Sequence, residues 1–208
     1  MKLVIALSFA AGLLPIGANA ADCDAIARGK VTLVGSSSTV VLPNLEPKTA
    51  SLVLVPGPNA KLTQTRPDGG VVEVTYADGH VVATTDVAKG IHLDFVWSDV
   101  EGDPHALAEG SSFSFILTVR KDGADQSKEK VTRSVGKHAM RTVSGCLIDT
   151  VRFTDHAEGV GNDTTREAAW DYSPTLGIAL WSETIFKRNK DASPITIRTM
   201  VNDLAPQS

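Results

Sequence analysis

From Val31 to Val201 the chain is written in short β-branched and aromatic runs broken by Gly, Pro and Asp, and this punctuation constrains the fold most. β-Branched side chains fit a pleated surface, while Gly and Asp tolerate the positive φ of tight turns. Candidate strands are Val31–Val34, Thr39–Leu42, Ser51–Val55, Lys61–Arg66, Val71–Tyr76 and His80–Thr85. Asp78-Gly79 between the last two is a hairpin signal, and Pro67-Asp68-Gly69-Gly70 marks another turn. Ile91–Ser98 alternates cleanly, with Ile91, Leu93, Phe95 and Trp97 on one face. After the loop Glu101–Gly110, Ser112–Lys121 puts Phe113, Phe115, Leu117 and Val119 on its core side. Ser127–Val135 and Lys137–Thr142 are polar, as expected of edge strands or strands with one solvated face. Cys146–His156, Thr164–Tyr172, Gly177–Phe186 and Ile195–Val201 complete the set, and only Ala21–Lys30 offers a short helical turn. The expectation is all-β: a single domain of about a dozen antiparallel strands over 21–208, forming a strongly curved sheet or open barrel.

The start of the chain bears on compartment. Lys2, the uncharged apolar run Leu3–Gly17 and Ala18-Asn19-Ala20 have the layout of an export signal cleaved after Ala20. Asp22 before Cys23 argues against an acylated cysteine, so a soluble periplasmic protein is expected rather than an anchored one. No later stretch is long and apolar enough for a spanning helix. Lys and Arg number 20 against 24 Asp and Glu, a net of −4, which gives no support to a nucleic-acid role.

Cys23 and Cys146 are the only cysteines. In an oxidising compartment an isolated pair is most simply a disulfide, and no Cys-x-x-Cys spacing suggests a redox pair. Closing so long a loop is worth about 4–5 kcal/mol on the chain-entropy model.

From Phe113 to Phe186 the features run in a distinctive order. Lys121-Asp122-Gly123 leads to Val135-Gly136-Lys137, then Val143-Ser144-Gly145-Cys146-Leu147, then Trp170-Asp171-Tyr172-Ser173-Pro174-Thr175-Leu176-Gly177-Ile178. This order resembles exported bacterial proteins of unknown function, a group similar to the periplasmic lipoprotein-carrier fold. The resemblance implies a curved antiparallel sheet around an apolar concavity in the cell envelope, and it brings no site residues with it. Pro174 and Gly177 suit a turn, and Trp170 and Tyr172 share a face with Ile178 and Leu180 available across the hairpin. Such aromatics are either core or the lining of a ligand cavity.

Catalytic chemistry is faint. Gly35-Ser36-Ser37-Ser38-Thr39 lacks the second glycine of a nucleophile elbow and reads as a loop. There is no His-Glu-x-x-His stretch and no cofactor fingerprint. His92-x-Asp94 and His156-x-Glu158 each place imidazole and carboxylate on one strand face and would make a metal site only if brought together. His80, His105 and His138 are expected at the surface, and Asp99/Glu101/Asp103 and Asp155/Glu158 in solvated loops. Between Arg120 and Arg141, Arg120, Lys121, Lys128, Lys130, Arg133, Lys137 and Arg141 face only Asp122, Asp125 and Glu129. That basic run suits edge protection or, less simply, anionic headgroups or an acidic partner.

The reading that follows is a non-catalytic envelope protein without cofactor or metal, binding an apolar or amphipathic ligand such as a lipid. Trp97, Phe115, Leu117 and Trp170 are the expected lining residues. The alternatives are an envelope interaction protein acting through protein contacts and an exported hydrolase.

Overall fold

The computed structural model describes residues 22–43, 46–189 and 191–207. The expected leader Met1–Ala20 and its cleavage point lie outside them. The described part begins with α1 (Cys23–Arg28), started by the Asp22 carboxylate accepting from the Ala25 N–H and ended by Gly29 at φ 57°. Twelve strands follow: β1 (Leu33–Leu42), β2 (Lys48–Val55), β3 (Lys61–Thr65), β4 (Val71–Ala77), β5 (His80–Asp86) and β6 (Ile91–Glu101). Then come β7 (Ser112–Lys121), β8 (Ala124–Val143), β9 (Cys146–Gly159), β10 (Thr165–Ser173), β11 (Ile178–Lys187) and β12 (Ile195–Pro206).

Every strand pairs antiparallel with its neighbours in sequence, and β1 pairs with both β2 and β12. The all-β domain expected from the sequence therefore closes on itself as an up-and-down barrel. Closure gives every strand a paired neighbour on both sides, so no strand is left as a free edge.

Three sequence readings change. Gly35–Thr39 is not a loop but the middle of β1, held between β2 and β12 with a bulge at Ser36/Ser37. Its short hydroxyls fit because each finds a partner: Ser36 donates to Asp203, Ser38 to Asn202, and buried Ser37 accepts from Gln64. Ser127–Val135 and Lys137–Thr142 are one strand, β8, bent by a bulge between Val135 and His138. β8 pairs with β7 and β9, so edge protection does not explain its cations, although its solvated face is as expected.

One end of the barrel carries α1 and the turns 56–60, 78–79, 144–145 and 174–177. Cys23 is joined to Cys146, as the pairing argument expected, with Cα atoms 5.2 Å apart. α1 thereby seats against β9 and β12, and its Ile26 is fully buried. Around it gather Leu33, Leu54, Ile148, Leu176, Ile178 and Leu204 in the largest apolar cluster. Gly177 belongs to this close packing: φ is 74°, and a Cβ there would lie 1.9 Å from the Gly57 carbonyl oxygen.

The β10–β11 hairpin departs from the expected facing. A bulge at Asp171/Tyr172 sets Trp170 opposite Ser182 and Tyr172 opposite Ala179. Ile178 and Leu180 go instead to the helix-end cluster, while Trp170 and Tyr172 pack with Phe153, Val135 and Val151.

Candidate functional site

The β4–β5 turn, Asp78 at φ 47° and Gly79 at φ 83°, is the hairpin the sequence called for. A Cβ at Gly79 would approach the Tyr172 ring to 2.8 Å, so glycine lets this turn lie on the lumen-side aromatics. Beneath it is a cavity of about 420 Å³, walled by β4–β11. Trp97, Phe115, Leu117 and Trp170, drawn from three strands, all line it. Trp97 stacks on Phe115 with ring centres 3.8 Å apart, and Phe153 and Trp170 meet at 5.7 Å. A smaller neighbouring cavity of about 220 Å³ shares His80, Phe95 and Trp97 and reaches Pro104 and His105.

The wall is not purely apolar. Arg133 of β8, 5% exposed, donates from Nε and Nη2 to the two carboxylate oxygens of Asp155 of β9 at 2.8 and 2.9 Å. Its guanidinium also lies against five rings, 4.4 Å from the centre of Trp170 and 5.1 Å from that of Trp97, with Phe113, Phe115 and Phe153 within 5.7 Å. Arg166 continues the series, donating to Glu129 at 2.8 Å and standing 3.8 Å from Asp155. Two cations and two anions thus form a neutral ladder along the lumen.

His80 terminates the ladder. Arg133 Nη1 lies 2.6 Å from His80 Nδ1. A guanidinium can only donate, so Nδ1 accepts and the proton sits on Nε2. Burial, and then the Arg133 charge, pull this imidazole down to about 3, which keeps it neutral. Nε2 is buried and has no partner among the described residues. His80 is therefore not the surface histidine expected: its ring lies tilted against Trp97, centres 3.9 Å apart, and it lines both cavities. Tyr76 lies deep as well, with its phenol pushed up to about 12 by burial, and it borders the same space.

The ladder was missed in the sequence, yet strand phase carries it. Glu129 and Arg133 share a strand face with Val131 and Val135, Asp155 with Phe153 and Ala157, and Arg166 with Ala168 and Trp170. Asp155 is accordingly not in a solvated loop; it is 3% exposed inside β9.

Other candidates stay apart. His92 contacts Thr85 at 2.8 Å and Asp94 at 3.0 Å on an exposed face of β5–β6. His156 of β9 pairs with Glu167 and lies 3.4 Å from Glu158, and these carboxylates hold its imidazole above the usual range. Among the described residues no group of three His, Cys, Asp or Glu side chains is arranged to hold a metal ion. The basic run disperses: Arg120 and Lys128 pair with Asp125, Arg133 turns inward and Arg141 turns to Asp171.

No family model matches the chain, and a comparison with curated proteins finds no match. Among solved structures it is similar to the hypothetical lipoprotein YmcC from Escherichia coli K12, at a TM-score of 0.48 and 12% identity over 91% of this chain and 92% of that one. It is also similar to a candidate lipoprotein from Parabacteroides distasonis, at a TM-score of 0.44 and 12% identity over 85% and 96% of the two chains.

Proposed function

We propose that this barrel is a periplasmic binding protein that holds an amphipathic ligand, of lipid or lipid-like chemistry, in its lumen. The observation that carries the reading is the cavity of about 420 Å³, aromatic on its wall and charged only in internally neutralised pairs. Its size falls within the range of about 300–1,000 Å³ typical of small-molecule sites. It is almost three times the engineered apolar cavity of about 150 Å³ that admits benzene. The stacked rings suit an apolar body. The unpartnered Nε2–H of His80 suits one neutral acceptor, such as an ester carbonyl or hydroxyl.

The disulfide fits an oxidising compartment, and it commits the Cys23 sulfur to Cys146 rather than to a lipid thioether. Exposed pairs such as His92–Asp94, Arg120–Asp125 and Arg198–Glu183 give the barrel a water-compatible outer face, unlike the apolar band of a membrane barrel. Binding is favoured over hydrolysis because the Thr85–His92–Asp94 group lies on an exposed strand face and does not line the cavity. It is favoured over a purely structural role because an aromatic-walled cavity opens among β4–β11.

The test is direct. Protein purified without detergent is expected to carry lipid detectable by native mass spectrometry, or to change its tryptophan fluorescence on titration with palmitate or lysophospholipid. Leu117→Trp, which fills the cavity from β7, is expected to abolish both while keeping the β-sheet circular dichroism. No bound lipid and no fluorescence response, or unchanged binding by L117W, would refute the lumen as the site.

A further inference from the structure

A second cluster lies away from the lumen aromatics, where β8, β9, β10 and β11 come together. Asp171 of β10 is 2% exposed and is met by two arginines. Arg152 of β9 donates from Nε and Nη2, at 2.5 and 3.2 Å, and Arg141 of β8 donates through Nε, with its Nη2 in ion-pair contact with the same carboxylate. Trp181 of β11 lies against both guanidiniums, 4.7 Å from Arg152 and 5.4 Å from Arg141. An open groove of about 450 Å³ runs over this cluster, lined by Lys137, Ala139, Met140, Arg141, Arg152 and Asp171.

One bidentate arginine would neutralise the buried carboxylate. The groove holds two arginines and Lys137 against one aspartate, an excess of two positive charges. Each guanidinium has five N–H groups; Arg152 spends two on Asp171 and Arg141 one, so both keep further donors. Both side chains remain about one-third exposed, which leaves them accessible to a solute. Asp171 and Trp181 fix the two forks before any ligand arrives, so little side-chain freedom is left to lose on binding.

Sequence separation hides this arrangement. Arg141 and Lys137 belong to the basic run of β8, whereas Arg152 follows the Ser144-Gly145 turn and Asp171 and Trp181 lie on the next hairpin. The bulge between Val135 and His138, which faces Arg152, brings Lys137 to the same groove.

We infer that this groove is an anion site, built to take a phosphate group through Arg141, Arg152 and Lys137. The inference is independent of the lumen reading. A free phosphate and a phospholipid headgroup share this chemistry, and the experiment separates them. Arginine-detected NMR of the intact, disulfide-bonded protein is titrated with inorganic phosphate, and the same protein is co-sedimented with vesicles of phosphatidylglycerol or of phosphatidylcholine alone.

Saturable shifts of the Arg141 and Arg152 Nε–H signals with inorganic phosphate assign a soluble phosphate ligand. Binding to phosphatidylglycerol but not phosphatidylcholine vesicles, weakened at least tenfold by Arg141→Gln, assigns a headgroup. Lys137→Gln, which leaves the Asp171 pairs intact, is expected to weaken either interaction about threefold with unchanged thermal stability. This variant keeps the test sharp should R141Q fold poorly. The inference is overturned if phosphate leaves both arginine signals in place and vesicle binding is absent or unchanged by K137Q and R141Q.

Discussion

Replacing Arg133 with methionine separates what the lumen ladder does for folding from what it does for binding. The substitution removes both hydrogen bonds to Asp155 and leaves that carboxylate almost wholly buried, with only the more distant Arg166 as a counter-charge. Breaking one side of a buried ion pair costs about 3–5 kcal/mol. Methionine keeps much of the contact with the five surrounding rings, and Arg166 stands 3.8 Å from Asp155, so the lower end, about 3 kcal/mol, is expected. With a urea slope of about 2 kcal/mol per molar, the midpoint falls by about 1.5 M. The double variant R133M/D155L removes both charges, leaves Arg166 on Glu129, and is expected within about 1 kcal/mol of the parent or above it. Equilibrium urea unfolding, followed by tryptophan fluorescence and circular dichroism with the disulfide intact, reads both. A single variant within about 1 kcal/mol of the parent, or a double variant no better than the single, would refute the account of Asp155 as a buried charge dependent on Arg133.

The disulfide and two histidines carry three further expected outcomes. Denatured, unreduced protein is expected to show no reactive thiol, and C23A/C146A to lose up to about 4–5 kcal/mol, since the bridge closes a separation of 123 residues. Two labelled thiols per chain would contradict the first part. The His80 imidazole is expected not to titrate by NMR between pH 5 and 8. The unfolded chain takes this proton near pH 6.5 while the native ring resists to about 3, so the native state loses stability as pH falls through that interval. A His80 signal with a midpoint near 6.5 would contradict the buried, Arg133-bonded ring. His156 behaves oppositely: Glu167 and then Glu158 raise its affinity for a proton. Its stabilising contribution is complete below pH 6.5 and is lost as pH rises through the native value. Glu167→Gln is expected to bring the His156 midpoint down, and an unchanged midpoint would reject that pairing.

Alternation made much of this architecture readable. Phe95 and Trp97 of β6, and Phe115, Leu117 and Val119 of β7, line the lumen because a strand sends every second side chain to the same face. Asp78-Gly79 fixed one hairpin by its turn chemistry. What alternation could not show was closure, because pairing of β1 with β12 is a long-range event that no local signal encodes. The serine run shows the cost of local reading: small hydroxyls suggest a loop until Asp203, Asn202 and Gln64 are seen beside them. Bulges caused the other errors. Those at Val135/His138 and Asp171/Tyr172 shift the phase of β8 and β10–β11, sending Ile178 and Leu180 away from Trp170. The ladder was hidden for a different reason. Arginine and aspartate are rarely buried, so Arg133 and Asp155 look solvated unless their phase is weighed above their polarity.

The hollow lumen and the stapled end are linked by energetics. At about 24 cal/mol per Å³, keeping 420 Å³ truly empty would forfeit on the order of 10 kcal/mol, comparable with the whole stability of an ordinary domain. The ladder and His80 give water the polar partners that a dry aliphatic cavity would deny it. The disulfide and the cluster around Ile26 pack the lumen next to α1 tightly, so the aromatic side need not be packed solid for the barrel to stand. A ligand whose apolar body displaces that water adds its binding energy to folding. At a hundredfold excess over its dissociation constant the gain is about 2.7 kcal/mol. For a domain of this size that corresponds to a rise of roughly 5–10 °C in Tm. Lysophospholipid is expected to raise Tm in proportion to the logarithm of its concentration in the parent protein but not in L117W. A flat response in the parent would mean that the lumen holds only water, and the carrier reading would fall with it.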